Sequence, residues 1–386
     1  MRKQDVSSQQ QTFSLWQLTS LITSTLIGVG VLTLPRTTTS VLLEAGWMSP
    51  VFGSVFAFLS IWMIATLSKR FPGMTFIEYS PIVWGTKKNP KMGKWLSLPW
   101  IIGYLSFLYS TTAIVARVFG EVVVTSVLLE TPLEVIIISM FLLAFILCLH
   151  EVEVVARVNE LLFPLILFPI LFIALASFQK AEWNNILPLF RVSGSSLLEG
   201  TYEAIYSFSG YEIMLIYFAY AHENNSKARS GFYGIGIAMV VYTLIVVAGI
   251  VVFGYEELQR VTWPTLELVK TTQVPGLILE RLESAFLAVW VTAVFTTVAN
   301  AYYAVMYGLR QLFNKGIVFQ RVISAIMFIP LYFIALWPQN IVDIFRVSSY
   351  LGMISIILNL GVPTLYLIVI FMRGFGQKEK ERNADG

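Results

Sequence analysis

Two carboxylic acids lie inside a long apolar run of the sequence, where an uncompensated charge is costly. Glu203 and Glu212 both fall within residues 197–221, whose other side chains are mostly apolar, aromatic or small. An ionisable residue in such a setting usually faces a partner, a ligand or water inside the protein. We therefore predict that Glu203 and Glu212 titrate or stabilise one conformation of the chain.

Glu212 directly follows the residues that interrupt this run. Ser209, Gly210 and Tyr211 place a hydroxyl, a flexible glycine and a phenol in the middle of an otherwise apolar helix. A helix broken at this point exposes N–H and C=O groups that need partners. We predict that these three residues contact a ligand, while Glu212 caps the freed N–H groups or titrates.

A second break is predicted near the start of the chain. Within residues 13–35, Gly28, Val29 and Gly30 loosen the helix, and Pro35 cannot donate a backbone hydrogen bond. Free N–H groups hold a carboxylate, and free C=O groups hold an ammonium or a cation, so a zwitterionic amino acid suits such a break. Close packing of membrane helices is the alternative explanation for glycines at either break taken alone.

The composition places these elements in a membrane. Of the 386 residues, 56% are hydrophobic and 13% are charged, and the mean hydropathy is +0.73, whereas soluble proteins carry about 25% charged residues. A spanning helix needs about 20 mostly apolar residues. Ten such stretches are predicted, at 13–35, 42–68, 95–128, 133–150, 154–178, 197–221, 231–254, 276–309, 317–338 and 346–373. We predict an all-α integral membrane protein with one domain, residues 1–386, and polar tails at 1–12 and 374–386.

The two broken stretches are the first and the sixth of the ten. This placement fits two five-helix halves of inverted topology, about 13–178 and 197–373, each beginning with a broken helix. Interrupted segments at matching positions are the best sequence indication of a substrate site in a transporter. One side of the predicted topology carries 18 Lys and Arg residues and the other carries seven, which predicts that both termini are cytoplasmic.

Several function classes are unsupported by the residues present. Cys148 is the single cysteine, so neither an internal disulfide nor a thiolate metal site is expected, and the two histidines are far apart in the sequence. There is no Gly-rich phosphate loop, no Ser-His-Asp order and no carboxylate cluster suited to hydrolysis. The apolar stretch after residue 12 has no small-residue cleavage site, so no signal peptide is expected. We predict a protein that is not an enzyme and uses no cofactor, metal or nucleic acid.

The run STLIGVGVLTLPR at residues 24–36 resembles the first-helix signature of the endospore germination permeases, the B subunits of nutrient germinant receptors. Further matches follow in order across nearly the whole chain. They are Phe71-Pro72-Gly73, Phe208 to Glu212, Thr262-Trp263-Pro264-Thr265, Pro275-Gly276 with Glu280-Arg281, and Leu336-Trp337-Pro338. The first run and the Trp-Pro-Thr loop are fairly specific in combination.

The resemblance implies a branch of the amino acid–polyamine–cation superfamily, with a LeuT-like five-plus-five inverted repeat. It implies a subunit that binds a small germinant in the spore inner membrane, beside a membrane A subunit and a lipoprotein C subunit. In this fold the third and eighth helices line the pocket, which adds Tyr104, Leu108, Thr296 and Thr297 to the expected ligand contacts. The threonine hydroxyls contact a ligand or cation, or alternatively bond back to carbonyls of their own helix.

The sequence leaves open the position of one charged pair, the role of one loop and the choice between two functions. Arg117 and Glu121 are four residues apart, so they pair inside the bundle or lie near the outer interface. The Trp263-Pro264 loop covers the outer vestibule or contacts a partner. A working amino-acid symporter is the alternative function, although residues 154–178 lack the lysine that some proton-coupled relatives carry. A membrane enzyme has little support, because polar residues do not cluster at one membrane face.

Overall fold

The chain begins with a helix that breaks halfway. In a computed structural model, which describes residues 12–86, 90–222, 224–272 and 282–373, helix α1 runs Leu15–Leu26 and helix α2 runs Gly30–Leu42. The two helix axes are bent by 57°. Ser14 caps α1 with a capping box. Its hydroxyl accepts from the backbone N–H of Gln17 at 3.1 Å, and the Gln17 side-chain oxygen accepts from the backbone N–H of Ser14 at 3.1 Å.

The remaining described chain is also built from helices, with short 3₁₀ and π segments between some of them. The α-helices are α3 (Met48–Arg70), α4 (Phe76–Trp84), α5 (Pro90–Ser126), α6 (Leu133–Cys148), α7 (Val152–Ser177), α8 (Gly194–Ser207), α9 (Met214–Tyr217), α10 (Asn224–Arg260), α11 (Pro264–Thr271), α12 (Leu282–Leu312), α13 (Ile317–Leu336), α14 (Ile341–Ile356) and α15 (Val362–Met372).

Eight of the ten predicted spans satisfy a length-and-composition criterion for crossing a membrane. Seven described helical segments are long and apolar enough, and the bent pair α1–α2 makes the eighth. The other two predicted stretches, 133–150 and 197–221, coincide with the 16-residue α6 and with the interrupted segment that contains α8 and α9. Neither α6 nor the interrupted segment is a continuous apolar helix of 18 residues, so eight rather than ten spans are found by length and composition among the described residues.

The predicted end of the first span at residue 35 is wrong, because the helix continues through Pro35 to Leu42. Pro35 has no N–H to donate to the carbonyl of Val31, four residues earlier. The hydroxyl of Thr265, in α11, donates to that carbonyl instead at 2.6 Å. Thr265 of the Trp-Pro-Thr motif thus replaces the helix hydrogen bond that Pro35 of the first-helix signature cannot make. The two motifs are distant in the sequence but in contact in the fold.

The two longest polar gaps between the predicted spans, 69–94 and 255–275, each contain a helix. The first contains α4 and the second contains α11. Aromatic rings from three helices meet at α4, where Phe76 contacts Tyr104 and Tyr366 at centroid distances of 5.3 and 5.2 Å. The motif residues 275–276 and 280–281, residues 1–11 and the tail 374–386 lie outside the described residues.

Candidate functional site

The first break turns its carbonyl groups toward donors from other helices. Beyond Leu26 the chain leaves the helical path, and the last carbonyls of α1 lose their intrahelical partners. The hydroxyls of Thr296 and Thr297, on α12, lie 3.0 Å from the carbonyls of Ser24 and Thr25 respectively. The break is therefore bound to α12 through these two carbonyls of α1.

Two more side chains fix the break from outside. The indole N–H of Trp290 donates to the Gly28 carbonyl at 3.1 Å, and the Tyr242 hydroxyl donates to the Leu26 carbonyl at 2.5 Å. Trp290 and Tyr242 are both almost fully buried. In the described part of the chain, the Val29 N–H has no hydrogen-bond acceptor, so the break presents this donor to its surroundings.

The sixth predicted span breaks after α8. Gly210 has a φ of +133°, a backbone conformation that favours glycine, and a 3₁₀ turn over Tyr211–Ile213 follows it. A Cβ at Gly210 would lie 3.2 Å from the Thr25 methyl and 3.3 Å from the Thr25 carbonyl. The two breaks are therefore in van der Waals contact, and a side chain at Gly210 would separate them.

Glu212 is the centre of the polar contacts at the second break. Its carboxylate accepts from the Gly210 N–H at 2.7 Å, from the Ser209 hydroxyl at 3.1 Å and from the Asn359 amide at 3.3 Å. Its backbone carbonyl accepts from the Tyr104 hydroxyl at 3.1 Å. The predicted capping role agrees with the Gly210 bond. The backbone N–H of Glu212 itself also hydrogen-bonds this carboxylate, so its donors include two backbone groups and two side chains.

Asn359 reaches Glu212 because the last span contains a π-helical turn. Residues Ile357–Gly361 wind as a π-helix between α14 and α15, and such turns occur often at functional sites. The Asn359 carbonyl also accepts a hydrogen bond from Ser60 of α3. Sequence reasoning did not select Asn359, although an amide within an apolar span was a detectable signal.

A cavity of about 460 Å³ lies between the two breaks and the neighbouring helices. Nine of the twelve residues selected from the sequence line it: Gly28, Val29, Gly30, Leu108, Glu203, Ser209, Gly210, Glu212 and Thr297. Both glycine breaks and both acids thus share one space. Ligand contact by these residues stays a prediction, since their position shows proximity alone.

The other three selected residues, Tyr104, Tyr211 and Thr296, support the walls rather than line the cavity. Tyr104 is 2% exposed and binds the Glu212 carbonyl, so its partner Leu108, one turn later, is the member of that pair that faces the cavity. Tyr211 is buried beside Ser60. The Thr296 hydroxyl lies 2.8 Å from the carbonyl of Ala293 in its own helix, which is the alternative to ligand contact that the sequence left open.

Several lining residues were not selected from the sequence. They come from four helices and include Thr33, Thr37, Thr111, Tyr202, Tyr206, Ser348, Ser349 and Gly352. The last three belong to α14, which the helix count alone did not connect with the site. The small residues of α14 were a detectable signal, because small polar groups in an apolar span commonly mark a helix contact or a cavity.

The cavity opens toward the face opposite the amino terminus of α1. Ser40 and Ser349 are exposed at that end. At this rim the Arg36 guanidinium lies 5.6 Å from the Phe345 ring centroid, and Trp263 lies 6.3 Å from the same ring. The Trp263-Pro264 loop therefore packs on the rim of the cavity, as one of the two predicted roles requires.

The opposite end of the bundle is filled by aromatic rings. Tyr303 stacks on Tyr217 and on Tyr307, with centroid distances of 6.5 and 6.0 Å. Tyr220 contacts Tyr307 and stacks on Phe13 at 5.6 Å. All five rings are buried or half-buried. The geometry is open on one side of the breaks and closed on the other.

Arg117 and Glu121 form the predicted pair, with 2.5 Å between Nη1 and the carboxylate. The Arg117 side chain is 5% exposed and that of Glu121 is 24% exposed. Arg117 also donates to the Pro338 carbonyl at 3.3 Å, just beyond the end of α13. The sequence left open whether this pair lies inside the bundle or near the outer interface. Arg117 is inside the bundle, whereas Glu121 reaches the surface.

Beneath the first break, Asn159 of α7 and Asn300 of α12 exchange two hydrogen bonds of 2.7 and 2.8 Å. Both side chains are fully buried. Asn300 also donates to the Thr25 hydroxyl at 2.8 Å. Three helices are therefore joined at one point by uncharged polar groups.

Asn159→Leu is expected to lower the free energy of unfolding by about 1–3 kcal/mol, because it leaves the buried Asn300 amide with an unmet donor and acceptor. Thermal unfolding of the purified protein measures the loss. The double variant Asn159→Leu/Asn300→Leu should lose less than the sum of the two single variants. Additive losses would show that the two amides do not depend on each other.

The overall fold resembles that of secondary transporters. It aligns with a Na⁺-coupled sialic acid symporter in a substrate-bound outward-open state, with a TM-score of 0.70 and 11% identity over 96% of this chain and 82% of that one. It also aligns with Mhp1, a nucleobase-cation-symport-1 family transporter in a closed conformation, with a TM-score of 0.60 and 12% identity over 98% and 97% of the two chains. Both are LeuT-fold transporters, which confirms the predicted fold class.

Sequence comparison then defines the family. The family model described as spore germination protein matches residues 12–344. Spore germination protein YndE of Bacillus subtilis is 30% identical over 94% of this chain and 97% of its own, and spore germination protein A2 of the same organism is 26% identical over 95% and 98%. The chain belongs to this family of spore germination proteins, a multi-pass membrane family with a permease architecture.

Proposed function

We propose that this chain is the subunit of a nutrient germinant receptor that binds a small germinant, an amino acid, in the central cavity. The observation that carries the proposal is the meeting of both helix breaks at one cavity of about 460 Å³. Relatives across nearly the whole chain are spore germination proteins. Substrate sites in transporters of inverted-repeat architecture lie at such breaks, near the middle of the bilayer.

The chemistry of the cavity suits a zwitterion. The N-terminus of α2 carries partial positive charge, and the Val29 N–H there lacks an internal acceptor in the described chain, so a carboxylate binds at this end. The Glu212 carboxylate, which is 1% exposed and borders the cavity, binds the ammonium. Ser209 and Thr297 border the same space. An uncharged sugar would leave the Glu212 charge without a cationic partner.

Ligand binding would act by shifting a conformational equilibrium. The cavity is open on one face, while the ring cluster that contains Tyr217 and Tyr303 closes the other. A ligand with different affinities for the open and closed arrangements favours one of them. We propose that a membrane A subunit and a lipoprotein C subunit respond to this change in the spore inner membrane, with both termini of this chain cytoplasmic.

Direct binding and uptake test the proposal. The protein, reconstituted alone in lipid, is incubated with each of the common L-amino acids while binding and accumulation of radiolabel are measured. Saturable binding of one amino-acid class without accumulation is the expected result. Absence of binding by every amino acid would contradict the ligand class, and germination of deletion spores by every nutrient would contradict the receptor role.

An active amino-acid symporter is the second candidate, and the structural likeness to symporters supports it. Its distinguishing result in the same experiment is concentrative uptake, driven by an ion gradient, into vesicles that contain this chain alone. Such uptake would replace the receptor-only function by transport.

Gly30→Val is expected to reduce amino-acid binding at least tenfold while the protein still folds. A Cβ at Gly30 would lie 3.2 Å from the Tyr242 hydroxyl and 3.4 Å from the Ser207 Cβ, and the added methyl groups enter the space between the breaks. Binding isotherms measure the loss, and size-exclusion profiles report folding. Gly194→Val, where a Cβ meets nothing within 4 Å, is the matched control. An unchanged affinity in Gly30→Val would remove the first break from the site.

A further inference from the structure

The Tyr242 hydroxyl lies where the ends of two half-helices converge. It is 2.5 Å from the carbonyl of Leu26, the last residue of α1, and 3.0 Å from the carbonyl of Ser207, the last residue of α8. Tyr242 belongs to α10 and has no exposed surface. One phenol thus contacts both broken spans, and it is their only shared hydrogen-bond donor in the described part of the chain.

Two helix C-termini directed at one point create a place of negative potential. Each terminus carries about half a negative charge on its unpaired carbonyls. In secondary transporters, half-helix C-terminal ends and unwound carbonyls coordinate the coupling cation. Here a phenol oxygen lies within 3.0 Å of both carbonyls, so a cation bound to the pair would have to occupy the same position.

The other carbonyls around the first break also face donors from the protein. Those of Ser24 and Thr25 face threonine hydroxyls of α12, and that of Gly28 faces the indole N–H of Trp290. The carbonyl of Thr23 accepts from the Ile27 N–H at 2.9 Å. Neutral donors thus bind all of these carbonyls, while no donor to the Ile27 carbonyl is found among the described residues. The adjoining α7–α12 contact is a pair of neutral amides.

We propose that the hydroxyl of Tyr242 takes the place of a bound cation between the two half-helix ends, and that it holds both breaks in register without a metal ion. Tyr242 is a positioning residue: it acts on the backbone that forms the cavity. The proposal goes beyond germinant binding, because it concerns how the empty site keeps its shape. It predicts that the state with an open cavity is independent of sodium.

Purified protein in detergent tests the proposal without knowledge of the germinant. Radioactive ²²Na⁺ binding and the thermal unfolding midpoint are measured in sodium chloride and in choline chloride of equal ionic strength. The wild-type chain should bind well below one sodium per molecule and unfold at the same midpoint in both salts. Stoichiometric sodium binding, or a midpoint raised by sodium, would overturn the proposal.

Two Tyr→Phe variants, each of which removes one buried hydroxyl, distinguish the positioning role from the ordinary loss of a hydrogen bond. Tyr242→Phe should lower the midpoint by several degrees in choline chloride and recover part of the loss in sodium chloride, because sodium can then occupy the vacated space between the carbonyls. Tyr302→Phe removes a buried phenol that donates to the Ser324 carbonyl at 2.6 Å, and its loss should be equal in both salts. A salt-independent loss in Tyr242→Phe would contradict the substitution of a cation by this hydroxyl.

Discussion

Glu212→Gln is expected to weaken amino-acid binding by about 10- to 100-fold, which corresponds to the 1.5–3 kcal/mol of a hydrogen bond to a charged group. The carboxylate is 1% exposed, borders the cavity and already accepts from Gly210, Ser209 and Asn359. A glutamine of the same length keeps one acceptor for the Gly210 N–H. It removes the negative charge that attracts an ammonium and places a second amide beside Asn359.

Binding isotherms on reconstituted protein measure this effect, and germination of spores that carry the variant measures its consequence. Glu199→Gln is the matched control, since Glu199 lies in the same predicted span, on α8, and is exposed. The control should bind and germinate normally. If Glu212→Gln binds as tightly as the wild type, Glu212 caps the break only and does not contact the ligand.

Gly28→Ala is expected to disrupt the first break, with at least a tenfold loss of amino-acid binding and a lower unfolding midpoint. A Cβ at residue 28 would lie 2.5 Å from the Thr297 hydroxyl oxygen and 3.2 Å from the Thr297 Cβ. Rotation of the threonine relieves the shorter contact only, and it removes the donor from the Thr25 carbonyl. The longer contact forces α12 away from the break.

Gly103→Ala provides the control for the helix glycine itself. Gly103 is an exposed residue of α5 where a Cβ meets nothing within 4 Å, so alanine there should be neutral or slightly stabilising. Adding Thr297→Ala to Gly28→Ala should restore part of the midpoint, because it removes the closest colliding atom. If Gly28→Ala and the double variant Gly28→Ala/Thr297→Ala lose equally in unfolding midpoint, the collision with Thr297 does not cause the loss.

Much of the fold could be predicted from residue types and from their neighbours in the sequence. The apolar stretches predicted nearly all helices, since a membrane requires about 20 apolar residues for each crossing. Gly28, Gly30 and Gly210 predicted both breaks, because residue type alone limits where a helix can stop. Boundaries were less accurate: the first predicted span stops at Pro35, whereas the helix continues to Leu42. Thr265, more than 200 residues later, donates to the carbonyl that Pro35 cannot bond.

Long-range contacts decided which residues of the site lie together. Spacing along α5 selected both Tyr104 and Leu108, but packing against the second break turned the Tyr104 phenol to the Glu212 carbonyl and left Leu108 at the cavity. Nothing local marked Trp290 or Tyr242, because a buried aromatic in an apolar helix has the same sequence pattern whether it fills a core or binds a carbonyl.

The sequence by itself determined that this chain crosses a membrane, breaks two of its helices and carries an acid next to the second break. These properties depend on residue type and on neighbours in the chain. Only the tertiary structure showed that the two breaks share one cavity, that Asn359 reaches Glu212 through a π-turn, and that Tyr242 joins both half-helix ends. Those contacts depend on how helices pack, and a one-dimensional pattern does not contain that information.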